Sequence, residues 1–365
     1  MKKIKSYSII LGIIFAFSTI ASTSLNFNTG SFNIIFKNSI EITLDKENLK
    51  TSKVSGKIHI KNNNWSAAKA AGICSGNGTY SDPYVIEDLV IDGGGSGSCI
   101  KIEWSYDYFK IENCTLYNSG NIEYADGTCD AGILLYGSSN GRLIDNILSN
   151  NLHGIELYGC YNFTLSRNDV NNNIYGIFLR FSGNHTISRN SIYNNDYGIY
   201  LHNTENNIFS VNTINNNNFG GIYLDWDSNN NEISGNSVNN NGVYGIGLDG
   251  DANDNNIYLN CFINIHNAFD AGSNTHWDNG TTGNYWDDYA GSDADNNGIG
   301  DIPYNITHTI SISIVGNQDN FPLMRCPISS VKGDIIIPGY NLFFLFGFFS
   351  AVSFILSKKI RKSSN

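Results

Sequence analysis

The sequence predicts an all-β chain, a right-handed parallel β-helix (solenoid). Three regularities predict it: a recurring Gly-Ile-x-Leu, an asparagine at a nearly fixed distance behind each copy, and an apolar position between the two.

Glycine followed by isoleucine occurs at Gly132, Gly154, Gly176 and Gly198, each 22 residues from the last, and again at Gly221 and Gly245. The copies read GILL, GIEL, GIFL, GIYL, GIYL and GIGL. Apolar residues two apart are strand periodicity. One inward column is therefore Ile133, Ile155, Ile177, Ile199, Ile222 and Ile246, and a second is Leu135, Leu157, Leu179, Leu201, Leu224 and Leu248. An asparagine follows 14 residues after the first four glycines (Asn146, Asn168, Asn190, Asn212) and 15 after the last two (Asn236, Asn260). Asn tolerates left-handed backbone at a corner, and its amide can bond the same amide one coil above. Three residues before each Asn lies the apolar position of a further strand: Leu143, Leu165, Ile187, Phe209, Ile233 and Ile257. Coils rising about 4.8 Å each make these six span roughly 30 Å. Disorder would not keep apolar columns in register, and a leucine-rich repeat has a different internal spacing.

Few prolines, abundant Gly and Asn and 13% aromatic residues suit one elongated domain of short strands joined by tight turns. Residues 81–270 are expected to hold the repeats. Residues 22–80 form an N-terminal segment and cap, in which Asn64-Trp-Ser-Ala-Ala-Lys-Ala-Ala-Gly reads as a short capping helix ahead of the first coils, with Trp65 a structural lid. Residues 271–330 are expected to form a C-terminal acidic cap.

Both ends carry targeting features. Residues 1–21 combine Lys2, Lys3 and Lys5 with an apolar run from Ile9 to Ile20 and a small-residue exit, as in a secretory signal peptide; an uncleaved anchor is the alternative. Residues 335–357 contain no charge and precede a basic tail, 358–365, as in a transmembrane helix with a cytoplasmic tail; a processed sorting segment is the alternative. Taking the three signal lysines and four tail cations from the 22 basic residues leaves 15 against 33 acidic ones, a net charge near −18 for the exported body. Without a basic face a nucleic-acid partner is disfavoured. The acidity suits cation binding or solubility outside the cell. Seven cysteines, an odd number, leave at least one unpaired within the chain, and the spacing fixes no connectivity. Sequons at Asn64, Asn77, Asn113, Asn162, Asn184, Asn279 and Asn305 fit export, though an Asn-rich chain supplies some by composition alone.

The Gly-Ile-x-Leu and Asn coils, with the closing segments Gly283-Asn-Tyr-Trp-Asp-Asp-Tyr, Asp293-Ala-Asp-Asn-Asn-Gly-Ile-Gly-Asp-Ile-Pro-Tyr and Phe321-Pro-Leu-Met, resemble the NosD-like parallel β-helix proteins. These are also described as carbohydrate-binding and sugar-hydrolase repeat domains, and the closing block is similar to that of archaeal surface members. The resemblance covers roughly residues 60–325 and implies architecture first, since such folds host lyases, hydrolases, binders and spacers. The group's name implies copper. Yet none of the seven histidines falls in a short ligand-spaced cluster, there are two methionines, and no Cys and His are adjacent, so a dedicated copper site is not readable.

Calcium is the better metal expectation. Asp293, Asp295, Asn297, Gly298 and Asp301 fill positions 1, 3, 5, 6 and 9 of an EF-type loop, although Tyr304 stands where a bidentate Glu is required. Asp287, Asp288 or Asp319 can supply the missing oxygen. The alternative is an acidic loop of Asx turns without an ion.

Outward positions of the Gly-Ile strand carry the candidate chemistry. Two residues after each glycine come Leu134, Glu156, Phe178, Tyr200, Tyr223 and Gly247; four after come Tyr136, Tyr158, Arg180, His202, Asp225 and Asp249. Rings beside polar groups suit a saccharide chain, making Tyr136, Tyr158, Phe178, Arg180, Tyr200, His202 and Tyr223 candidate substrate contacts. Asp225 and Asp227, one coil below Asp249 and Asp251, are candidate catalytic carboxylates, because like charges held close split their pKa values. A solvated outer face is the plain alternative. Arg167 and Arg189, one coil apart, offer the alternative of a lyase base, but their place beside the Asn corner favours turn packing or solvent exposure. Three functions stay open: a surface-anchored binder of polysaccharide or glycoprotein, a glycan hydrolase or lyase, and a spacer or copper-related accessory protein.

Overall fold

The computed structural model describes residues 24–28, 31–36, 40–45, 53–310, 312–328, 336–337 and 340–341. Contacts divide the chain into one unit of residues 1–50 and 330–365 and a second of residues 51–329. In the first, strands Ser24–Asn28, Ser31–Phe36 and Ile40–Asp45 form a small antiparallel sheet. The signal segment 1–21 lies outside the described residues, as does most of 335–357. The described part of that apolar segment, Ile336–Ile337 and Tyr340–Asn341, is an extended pair rather than the expected helix. Among the described residues no helix is long and apolar enough to cross a membrane.

The second unit is the parallel β-solenoid. Each coil contributes one strand to each of three sheets, stacked in sequence order. The Gly-Ile-x-Leu strands make the longest, through Ala131–Tyr136, His153–Tyr158, Tyr175–Arg180, Tyr197–His202, Gly220–Asp225 and Tyr244–Leu248. Their register is that of the repeat, Ile177 opposite Ile199 and Leu179 opposite Leu201. Both predicted columns, and the Leu143 to Ile257 column of the second sheet, have no exposed surface. A third sheet, short enough to hide in the Asn-rich stretches, contributes Leu148, Val170, Ile192, Ile214 and Val238, equally buried. The repeat glycines answer a need for close approach rather than for unusual backbone: a Cβ on Gly198 would lie 2.5 Å from the Gly221 carbonyl oxygen.

Coils begin earlier than expected. Lys53–Ser55 pairs with Leu89–Asp92, and Ile58–Lys61 with Ile100–Glu103, so these strands precede the helix Trp65–Ala70 instead of following it. Trp65 is fully buried, stacks on Tyr84 at 4.9 Å and donates its indole N–H to Ser105.

The corners refine the asparagine expectation. The left-handed residue is the one before the ladder Asn, namely Asp145, Arg167, Arg189 and Val211, and the Asn itself turns inward. The ladder runs Asn146, Asn168, Asn190, Asn212, Asn236, Asn260 and Asn284: Asn146 Oδ1 accepts the Cys114 N–H, and from Asn168 on each amide oxygen accepts the backbone and side-chain N–H of the Asn one coil before. Each side-chain NH2 also reaches a strand carbonyl, as Asn190 does to Leu165. The ladder ends on Asp319, which accepts from Asn284 N and Trp286 Nε1 and whose carboxyl burial pushes up to about 6. A second ladder at another corner runs Asn151, Asn173, Asn195, Asn217 and Asn241. Asn217, which looks solvent-facing in an Asn-rich run, is therefore buried. A third runs His185, Asn207, Asn231 and Asn255.

Replacing Asn190 or Asn195 with Leu is expected to cost about 1–3 kcal/mol in chemical denaturation, because a buried corner N–H loses its acceptor. The exposed Asn218→Ala should stay within about 0.5 kcal/mol. Equal losses at all three sites would refute the ladder's role.

His185 tests the third ladder. Burial lowers its pKa from 6.5 to about 3, while its Nδ1 accepts the Phe163 N–H. Because the unfolded chain takes up a proton near pH 6.5 that the folded one refuses, stability falls as pH drops from about 6.5 toward 3. His185→Asn, which continues the column of Asn207, should be less acid-sensitive than the parent in that window. Parallel stability–pH curves would count against this assignment.

Candidate functional site

On the outer face of the Gly-Ile sheet the side chains fall into lanes because parallel strands in register place like positions one above another. The expected lanes form: Tyr136 opposite Tyr158, Tyr158 opposite Arg180, Arg180 opposite His202, His202 opposite Asp225, and beside them Phe178, Tyr200 and Tyr223 in succession. A further lane, not singled out from the sequence, stacks Tyr175 on Tyr197 at 5.2 Å and Tyr197 on Phe219 at 5.4 Å. For Tyr175 and Tyr197 the signal was available as the residue before the repeat glycine, while Phe219 stands one place earlier in its coil.

At the corner after these strands the backbone is left-handed. Neighbouring coils fill it with Gly137, Gly159 and Asn203, but three coils place Trp104, Phe181 and Trp226 there. These rings are exposed, Trp226 most of all at 59%. They extend a line of contacting rings, one from each of six coils: Trp104, Tyr136, Tyr158, Phe181, His202 and Trp226, with successive centroids 4.9 to 5.5 Å apart. Left-handed backbone costs roughly 1–2 kcal/mol for a residue bearing a Cβ. No core packing is gained in return by a ring turned to solvent.

The carboxylates are placed as follows. Asp225 is half-buried and accepts from the Tyr200 hydroxyl at 3.0 Å, and its Oδ2 lies 3.1 Å from His202 Nδ1. Asp249 caps its own turn through Gly250 N, while Asp227 and Asp251 are exposed. Among the described residues no hydrogen-bond partner is common to any two of the four. Burial, then the Asp225 charge, pushes the Tyr200 hydroxyl far above its ordinary range, and burial pushes Tyr223 up to about 12. Both hydroxyls stay protonated, and the His202 imidazole is held against the Asp225 carboxylate. Arg167 sits at a corner in a bidentate pair with Asp145, more than half exposed.

The strip is not open along its whole length. Regular coils pass from the third sheet to the Gly-Ile strand in a few residues, but between Tyr117 and Ala131 the chain inserts a longer loop. That loop folds over the first coils: Gly127 O accepts from Arg180, and Cys129 N donates to Glu156 Oε2 at 2.9 Å. Leu134 and Glu156, expected to face outward, are thereby fully buried. Under the loop Cys129, His153 and Glu156 come together, with ligand atoms within 4.8 Å of one another. Residues 129 and 153 are distant in sequence and neither belongs to a recognisable motif, so the sequence gives no sign of this cluster. Burial, then the Glu156 charge, pushes the Cys129 thiol up to about 12.

In the acidic loop, Asp293 accepts from the backbone N–H of Asn297 and Gly298, Asp301 from Ala294 N and Ser292 Oγ, and Asp295 from Asn297 Nδ2. A disulfide joins Cys261 to Cys326, and the other five cysteines are free and buried.

Fold and face together define a parallel β-solenoid with an aromatic outer sheet. Residues 109–291, half of the chain, match the family described as periplasmic copper-binding protein (NosD), and the chain belongs to that family. No curated protein matches the sequence. Among solved structures it is similar to the mannuronan C-5 epimerase AlgE6 A-module of Azotobacter vinelandii, at 15% identity and TM-score 0.43 over 53% of this chain and 63% of that one. It is similar also to the periplasmic alginate epimerase AlgG, at 17% identity and TM-score 0.38 over 62% and 67%, and to the Dettilon tailspike protein, at 12% and 0.42 over 62% and 52%. The chain spans about three fifths of the length of the first of these. At such identities no residue is carried across from them.

Proposed function

We propose that this solenoid is an exported surface protein that binds polysaccharide or glycoprotein glycan along its outer aromatic face. One observation carries the reading: Trp104, Phe181 and Trp226 hold exposed rings at strained left-handed corners and complete a ring line through six coils. What sets these corners apart is the line they complete: exposed rings in contact from coil to coil point to a function for the rings. Flat apolar rings spaced by the coil repeat offer stacking faces to successive sugar units, while Arg180, His202 and Asp225 supply polar contacts at the side. Export through residues 1–21 and anchorage through 335–357 belong to the same proposal.

A second reading, glycan cleavage, is favoured by the His202–Asp225 contact beside the ring line. There His202 is the acid–base residue and Asp225 positions it, in place of four stacked carboxylates. The acidic loop of Asp293, Asp295, Asn297 and Asp301 is proposed as a structural calcium site; carboxylates whose backbone contacts shape the turn still have lone pairs to offer an ion.

Trp226→Ala and Phe181→Ala are each expected to weaken binding of a recognised polysaccharide by about 5- to 30-fold, equivalent to about 1–2 kcal/mol, in calorimetric titration. Thermal stability should hold, since no core cavity opens, and the exposed Tyr161→Ala at a different corner should bind as the parent does. Products released by the parent and abolished by His202→Gln would favour the enzyme reading. A parent that binds no member of a neutral and acidic polysaccharide panel would defeat the glycan reading altogether.

Calcium should raise the melting temperature of the chain, the stabilisation reaching about 2.7 kcal/mol when free ion is 100 times the dissociation constant. The double variant Asp293→Ala, Asp295→Ala should not respond. Melts that ignore both calcium and chelator would remove the ion from this loop.

A further inference from the structure

Cys129, His153 and Glu156 lie on the long inserted loop and the strand beneath it, 5%, 2% and 0% exposed. Glu156 Oε2 is occupied, accepting from Cys129 N and lying 3.2 Å from His153 Nδ1, but its Oε1 has no hydrogen-bond partner and no access to water. A buried carboxylate oxygen left without a donor is costly, and a thiol, an imidazole and a carboxylate brought within 4.8 Å of one another offer it a cation. Beside them opens a pocket of about 330 Å³, lined by Asn121, Glu123, Cys129, His153, Tyr175 and Arg180, which gives an entry path and room for a fourth, non-protein ligand.

From this geometry we infer that Cys129, His153 and Glu156 form a binding site for a divalent metal ion of the zinc class. Sulfur excludes calcium and magnesium, which take oxygen ligands. Copper(I) fits less well: a soft site gathers sulfurs, whereas here one of three donors is a hard carboxylate. Three protein ligands with a position left open are the arrangement of zinc sites that hold water or substrate. The charges also close. A thiolate and a carboxylate neutralise the divalent ion, so Arg180 at the pocket wall faces a neutral centre rather than a second cation. The site lies under the same loop that contacts the ring line through Arg180 and Gly127, yet it does not depend on the glycan reading.

The full chain, freed of metal by chelator and kept reduced, should take up about one zinc ion per chain after dialysis. Loaded instead with cobalt(II), it should show the near-ultraviolet thiolate-to-cobalt absorption that only a sulfur ligand gives. Cys129→Ser should abolish that absorption, and His153→Gln and Glu156→Gln should each weaken zinc binding by at least about 10- to 100-fold. Cys160→Ala, a buried thiol elsewhere in the core, should leave both unchanged. Melts of the metal-free variants establish that each is folded, and any that is not is replaced by Cys129→Ala or His153→Asn. An absent cobalt–thiolate band, a band that survives in Cys129→Ser, or binding of copper(I) without zinc or cobalt would overturn the assignment.

Discussion

The asparagine side chain that turns inward at a corner and bonds the corner of the next coil is the interaction on which this solenoid depends. Three sheets meeting at sharp bends leave backbone N–H groups inside the coil where no strand can accept from them. Asn answers with a carbonyl that takes two N–H groups from one coil and an amide that gives to a strand carbonyl. Each ladder residue thus serves its neighbours as well as itself, and coils can stack only in the register that keeps these amides aligned. The apolar columns supply the burial, but Ile over Ile would tolerate sliding in a way that a chain of directional bonds does not.

That rigidity explains how the outer face can carry function. Rings at fixed heights on a repeating scaffold need no hinge to hold their spacing, and the left-handed corner is over-determined by the buried Ser or Thr that follows it, as Ser182 and Ser228 do after Phe181 and Trp226. A bulky ring can then be kept in a backbone conformation it would not choose. The His202–Asp225 contact is held in the same way, both residues standing on paired strands of adjacent coils.

The inserted loop over the first coils works differently. It breaks the repeat and covers the sheet, and it converts outward positions into an interior. Glu156 stands two residues after its glycine, just as Phe178 and Tyr200 do, yet it is buried because thirteen residues elsewhere fold across it. One interruption therefore gives a regular scaffold a pocket lined by groups that the repeat alone would have left in solvent.

The sequence by itself determined the coil, the Ile and Leu columns, the second-sheet column and the first asparagine ladder, because each recurs at a period that stacking makes visible. Register between outward lanes was legible for the same reason. The second ladder was hidden, since Asn151, Asn173, Asn195 and Asn217 lie in runs where most neighbours are also Asn and only direction of the side chain distinguishes them. Tertiary structure alone decided which corner residue takes the left-handed conformation, that Asp225 is bound to Tyr200 and His202 rather than paired with Asp249, and that Cys129 meets His153 and Glu156. Those outcomes depend on how a non-repeating loop and individual side chains settle in three dimensions, and a periodic pattern carries no information about what departs from its period.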